Sequence, residues 1–102
     1  MGKRKDVDSM SDPILDPNLV SRLRDAVGVL ATSDESLRTR LRLANESCLR
    51  PLVRDDFPDD MRSRFEQVDA ALSRVNKLKP EEMESTAEQI VNLALDAWKR
   101  EA

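Results

Sequence analysis

Histidine and tyrosine are missing altogether from this chain of 102 residues, and cysteine and tryptophan occur once each. Without histidine, the commonest general base and metal ligand is gone. A single cysteine, Cys48, cannot close an internal disulfide, so the thiol count calls for no oxidising compartment. Of the two glycines, Gly2 and Gly28, neither has the neighbours of a phosphate-cradling loop. No stretch approaches the ~20 apolar residues of a membrane span. Met1-Gly2-Lys3-Arg4-Lys5 runs into Asp6, Asp8 and Asp12, where a secretory leader would have an apolar run. These absences predict a cytoplasmic protein that is not an enzyme and uses no cofactor, no metal and no membrane. Met10 is an alternative start, with residues 1–9 as an upstream extension.

Basic excess is missing too. Charged residues make up 36% of the chain, yet the net charge is −3, unlike the strongly basic footprint of a general nucleic-acid binder. The distribution is uneven: residues 1–54 carry ten basic and eight acidic side chains, and residues 55–102 carry seven and twelve. The first half is near neutral and the second is acidic.

What the chain has is helix-forming material. Leu, Ala, Glu, Arg and Met are plentiful, whereas aromatic and β-branched residues are sparse. Residues 1–16 read as a flexible polar tail and 17–102 as a single helical domain. Asp16 before Pro17 marks a helix start, and Leu19, Leu23, Ala26, Val27 and Leu30 carry the stripe of a first helix over 17–31. Gly28 lies inside it and is read as permitting a close helix crossing. Thr32-Ser33-Asp34-Glu35 has the form of a capping box for a second helix, which runs to Leu49 before Pro51. Its stripe is Leu37, Leu41, Ala44 and Cys48.

The connector 50–57 is expected to tuck Leu52, Val53 and Phe57 against the core. Pro58 opens a third helix with Met61, Phe65, Val68, Leu72 and Val75 at heptad spacing. A short turn over Asn76–Lys79 and the acidic start Pro80-Glu81-Glu82 then lead into a fourth. Its apolar stripe is read as Met83, Ala87, Ile90, Ala94 and Trp98. The expected architecture is all-α, a small four-helix bundle in which helices three and four form an antiparallel hairpin.

Helix four stands apart. Its apolar residues span about 200° of the circumference, against roughly 100° for an ordinary surface helix. One neighbour cannot cover that arc, so the helix is central in the bundle or part of an interface. Trp98 is read first as a core plug and second as an interface anchor.

Chemistry-bearing groups have plain structural readings. Cys48 falls on an apolar stripe and reads as a buried thiol rather than a nucleophile. Asp55, Asp56, Asp59 and Asp60 cluster at the positive end of helix three, without the glycine and alternating spacing of a calcium loop. Glu84 and Glu88 read as solvated surface. Glu35, Arg38, Arg42 and Glu46 form an intrahelical ladder, as do the pairs Asp60–Arg64 and Arg62–Glu66. Arg40 alone lacks an acidic partner on its helix.

The expected function is a small non-catalytic interaction protein, an adaptor, regulatory subunit or oligomerising module, presenting an apolar helical surface to another protein or to itself. Met83, Ile90, Val91, Leu95 and Trp98 are the candidate contact residues. The alternative is nucleic-acid binding through Arg40, Arg50 and Arg54 on the second helix and its following loop. A metal-dependent enzyme built on carboxylates alone comes third.

Overall fold

The structure, a computed structural model, describes residues 16–101. Within them the chain is all-helical: α1 (Pro17–Thr32), α2 (Leu37–Ala44), α3 (Asp59–Leu72) and α4 (Pro80–Glu101). The tail read over residues 1–16 lies outside the described residues, apart from Asp16. That residue caps α1, its carboxylate accepting from the Asn18 amide at 2.9 Å, with Pro17 at the first helical position.

The second helix starts later than its apparent capping box. Thr32 is the last residue of α1, and its hydroxyl donates to the Gly28 carbonyl at 2.7 Å. The cap of α2 is Ser36, whose Oγ accepts from the Thr39 amide at 3.3 Å. Ser33 instead stabilises the intervening turn, accepting from the Glu35 amide at 3.2 Å. Past Ala44 the helix widens into a π-helical turn, Asn45–Leu49, closed by the Arg50 amide donating to the Asn45 carbonyl at 2.7 Å. The wider turn brings the adjacent residues Cys48 and Leu49 both into the core.

Two arginines on α2 fix the topology. Arg40 donates to the Leu30 carbonyl near the end of α1 (2.6 Å) and to the Glu35 carbonyl (3.0 Å). Arg38 donates to the carbonyls of Val75 (2.7 Å) and Leu78 (3.0 Å) between α3 and α4. The C-terminal ends of α1 and α3 and the N-terminal ends of α2 and α4 therefore meet at one end. The bundle runs up-down-up-down, and α3 and α4 form the antiparallel hairpin. Helix α4 is central, packing on α1, α2 and α3.

One core cluster joins all four helices. Met61, Phe65, Val68 and Leu72 of α3 are buried as the heptad spacing predicts, and Val75 follows in a 3-10 turn, Val75–Lys77. In the connector, Leu52 and Phe57 pack inward, and the Phe57 ring stacks on Phe65 with centroids 4.4 Å apart. Such a pair adds about 1 kcal/mol to the burial itself. Val53, expected to tuck in beside them, is exposed.

Gly28 is not a crossing point. A Cβ built there meets nothing within 4 Å. The ladders on single helices are also replaced, mostly by pairs that join separate segments. Arg64 reaches Asp96 on α4 (2.7 Å), Arg100 pairs with Asp60 and approaches Asp96 (3.7 Å), and Arg54 reaches Glu66 (3.1 Å). Among the described residues two contacts stay on one helix, the approach of Arg100 to Asp96 and the pair of Arg62 with Asp59 at 2.6 Å.

Candidate interaction groove

The core stripe of α4 is Met83, Thr86, Ile90, Leu93 and Ala97, not the one that ends on Trp98. The polar member fits because the Thr86 hydroxyl donates to the Glu82 carbonyl one turn back at 2.8 Å, leaving its methyl to the core. This choice rotates the helix so that Trp98 points away. It is 64% exposed, which overturns its reading as a core plug, and Leu95 is 45% exposed beside it.

The five contact candidates therefore separate. Met83 and Ile90 are buried in the core and offer no surface. Val91, Leu95 and Trp98 stay together on the outer side of α4, where with Ala94 they form one wall of a groove of about 250 Å³. The other wall belongs to α1, where Arg24 and Val27 border the groove above the buried Val20. Positions 20, 24 and 27 are spaced as one helical stripe, as are 91, 94 and 98. Two antiparallel helices thus border a shared apolar channel. The α1 wall was not picked out from the sequence, because Val27 looked like a core residue and Val20 fell outside the expected stripe. A signal was there: the consecutive pairs Leu19-Val20 and Ala26-Val27 make the apolar arc of α1 wider than one core face needs.

The nucleic-acid candidates do not come together as a free basic surface. Both donor edges of Arg40 are occupied by the carbonyls of Leu30 and Glu35, and Arg54 is paired with Glu66. Arg50 is exposed. Arg38 leaves its expected ladder for the turn before α4, and Arg62 donates to the Phe57 carbonyl at 2.9 Å. Arg38, Arg40 and Arg62 tie off helix ends and connectors in this fold. The planar, multi-donor head of arginine suits that task.

Three of the four acidic residues at the start of α3 are likewise committed. Asp56 accepts from the Val53 amide (2.9 Å), Asp59 binds Arg62, and Asp60 binds Arg100. The Arg100 hydrogen bond holds the Asp60 carboxyl below its ordinary value. Among the described residues no set of three or more carboxylate, thiol or imidazole groups is placed to hold a metal ion. Glu84 and Glu88 are exposed.

Cys48 is buried, and desolvation pushes its thiol pKa up, helped by the Asp25 charge and opposed by Arg22. A thiol in that state is held protonated and is a poor nucleophile. Arg22 places one guanidinium nitrogen 3.5 Å from the Cys48 carbonyl, and its buried Nε has no partner among the described residues. A second depression of about 400 Å³ between α3 and α4 mixes Gln67, Arg74, Glu82 and Gln89 with Ala70, Ala71 and Leu78.

No described helix is long and apolar enough to cross a membrane. No protein-family model matches the chain, and comparisons with curated proteins and with solved structures likewise found no match.

Proposed function

We propose that this small all-helical protein is a non-catalytic interaction module, working as an adaptor, regulatory subunit or oligomerising element through the α1/α4 groove. The observation that carries the reading is the exposure of Trp98 and Leu95 along an apolar channel. A soluble fold has little reason to leave its only tryptophan in water, whereas tryptophan is enriched where partners dock. The remaining wall residues supply apolar area around it. Arg40 and Arg54 and three of the carboxylates at the start of α3 are engaged within the fold, which favours this apolar face as the surface for another chain.

The test uses the full chain and a Leu95→Glu/Trp98→Glu variant as baits in the native host, with circular dichroism verifying that both are folded. Partners held by the first and lost by the second support the reading. A partner set that ignores both substitutions would sink it. No observation favours nucleic-acid binding to the same degree, since two of its three candidate arginines are already bound.

A further inference from the structure

The geometry points to a specific occupant for the groove: an acidic amphipathic helix of another protein, seated with a carboxylate against Arg24. The inference rests on the interaction-module reading above and adds the chemistry of the partner. Grooves bordered by two helical stripes accept a third helix through apolar residues at i, i+3 or i+4, and i+7. Val27 on one side and Val91, Ala94 and Trp98 on the other form such a border, with the buried Val20 at the groove's floor. The volume of about 250 Å³ has room for roughly two leucine-sized side chains.

Among the described residues, Arg24 is the one charged residue in the lining. It makes no ion pair with another described residue, unlike Arg54, Arg62, Arg64 and Arg100. It also lies mid-groove. The segments 20–27 and 91–98 are equal in length and run in opposite directions, which sets Arg24 level with Ala94 and Leu95. A partner helix therefore meets a cation at the centre of an apolar seat. There a carboxylate fixes register and rejects a basic competitor.

A second copy of this chain fits less well. A two-fold axis that stacks α4 antiparallel on its copy also stacks α1 on α1, which sets both Arg24 cations on one seam and supplies neither with a carboxylate from the groove lining. The other arrangement lays α4 of the copy along α1 and brings no free carboxylate to Arg24. Asp96 is held by Arg64 and Arg100, and Glu88 lies about 10 Å further along the helix.

Trp98 is the only tryptophan, so its emission reports groove occupancy directly. The probes are two synthetic amphipathic helical peptides of about four turns, identical in leucine stripe but carrying Glu or Lys at the central flanking position. The expected result is a blue shift on titration, with the Glu peptide bound about three- to fivefold more tightly, the scale of a partly exposed ion pair. Arg24→Glu, an exposed position checked by circular dichroism, should reverse the preference. Equal affinity for both peptides, or a preference that Arg24→Glu leaves alone, overturns the acidic helix while the bait experiment above still decides the groove. No shift with either peptide also overturns it. So does a concentration-dependent blue shift of the chain alone, which would mark a second copy. Blue emission at every concentration that reddens when residues 1–15 are removed would assign the groove to the chain's own N-terminus, and would overturn it too.

Discussion

Arg38 binds the Val75 carbonyl at 2.7 Å across a separation of 37 residues, and its other terminal nitrogen holds the Leu78 carbonyl at 3.0 Å. One side chain on α2 therefore secures the turn that joins α3 to α4. Hydrogen bonds from a charged donor are worth about 1.5–3 kcal/mol when well shielded, and this site is half-buried. Arg38→Ala should cost about 1–3 kcal/mol in urea unfolding. Arg38→Lys should recover only part, because an ammonium cannot reproduce the planar two-pronged contact. Full rescue by lysine would show that charge alone matters there.

Acid should weaken the α3/α4 pairing through Asp60. Its carboxyl pKa is held down by the hydrogen bond from Arg100, so the folded value lies below the unfolded one. The stabilisation is present in full above the unfolded value, near pH 4, and is lost as pH falls through the folded value. The stability gap between the parent chain and Asp60→Asn should therefore be constant at neutral pH and shrink on acidification below about pH 4. A gap that widens in acid would contradict the assignment.

Gly28 offers a gain. It sits in the interior of α1 with open space where a Cβ would go. Gly28→Ala should raise stability by about 0.5–1 kcal/mol, chiefly by restricting the unfolded chain. Guanidinium or thermal melts check the sign.

Along α4, depth and exposure should separate stability from binding. Ile90 is fully buried, so Ile90→Ala should cost about 2–5 kcal/mol. Leu95 is 45% exposed, and Leu95→Ala should stay within about 0.5 kcal/mol of the parent. Comparable losses at both positions in chemical denaturation would place Leu95 in the core and remove the groove wall.

Residues whose role depends on their own helix were the more legible ones, although the cap of α2 is Ser36 and not Thr32. Asp16-Pro17, the α3 heptads and the Pro80 start all act within a turn or two of sequence, and each sits where local chemistry puts it. Roles that depend on a neighbouring helix were hidden. Periodicity could show that α4 has too much apolar surface, but not which part faces inward, because Ala87, Ala94 and Trp98 compete with Leu93 and Ala97. The inward face takes in Thr86, a polar residue whose hydroxyl is satisfied by its own helix. The charges misled in a similar way. Intrahelical spacing offered Arg64 the nearby Asp60, whereas packing gave it Asp96, 32 residues away. The groove was half legible for the same reason: α4 announced a spare face, but only the packing of α1 beside it supplied the second wall.

The π-helical turn at Asn45–Leu49 constrains how the chain's length can change. Deleting one residue there would let the helix continue in ordinary α form, which is locally easier. It would also turn everything after it by roughly 100° about the helix axis, swinging Leu49 or Cys48 out of the core and misdirecting the connector to Leu52 and Phe57. An insertion in the exposed 3-10 turn Arg54–Asp56 would break its short local hydrogen bonds but would not rotate a helix that carries core residues. Length variation among natural versions of this fold is therefore expected in the connector and not in the turn, a few residues apart though they are.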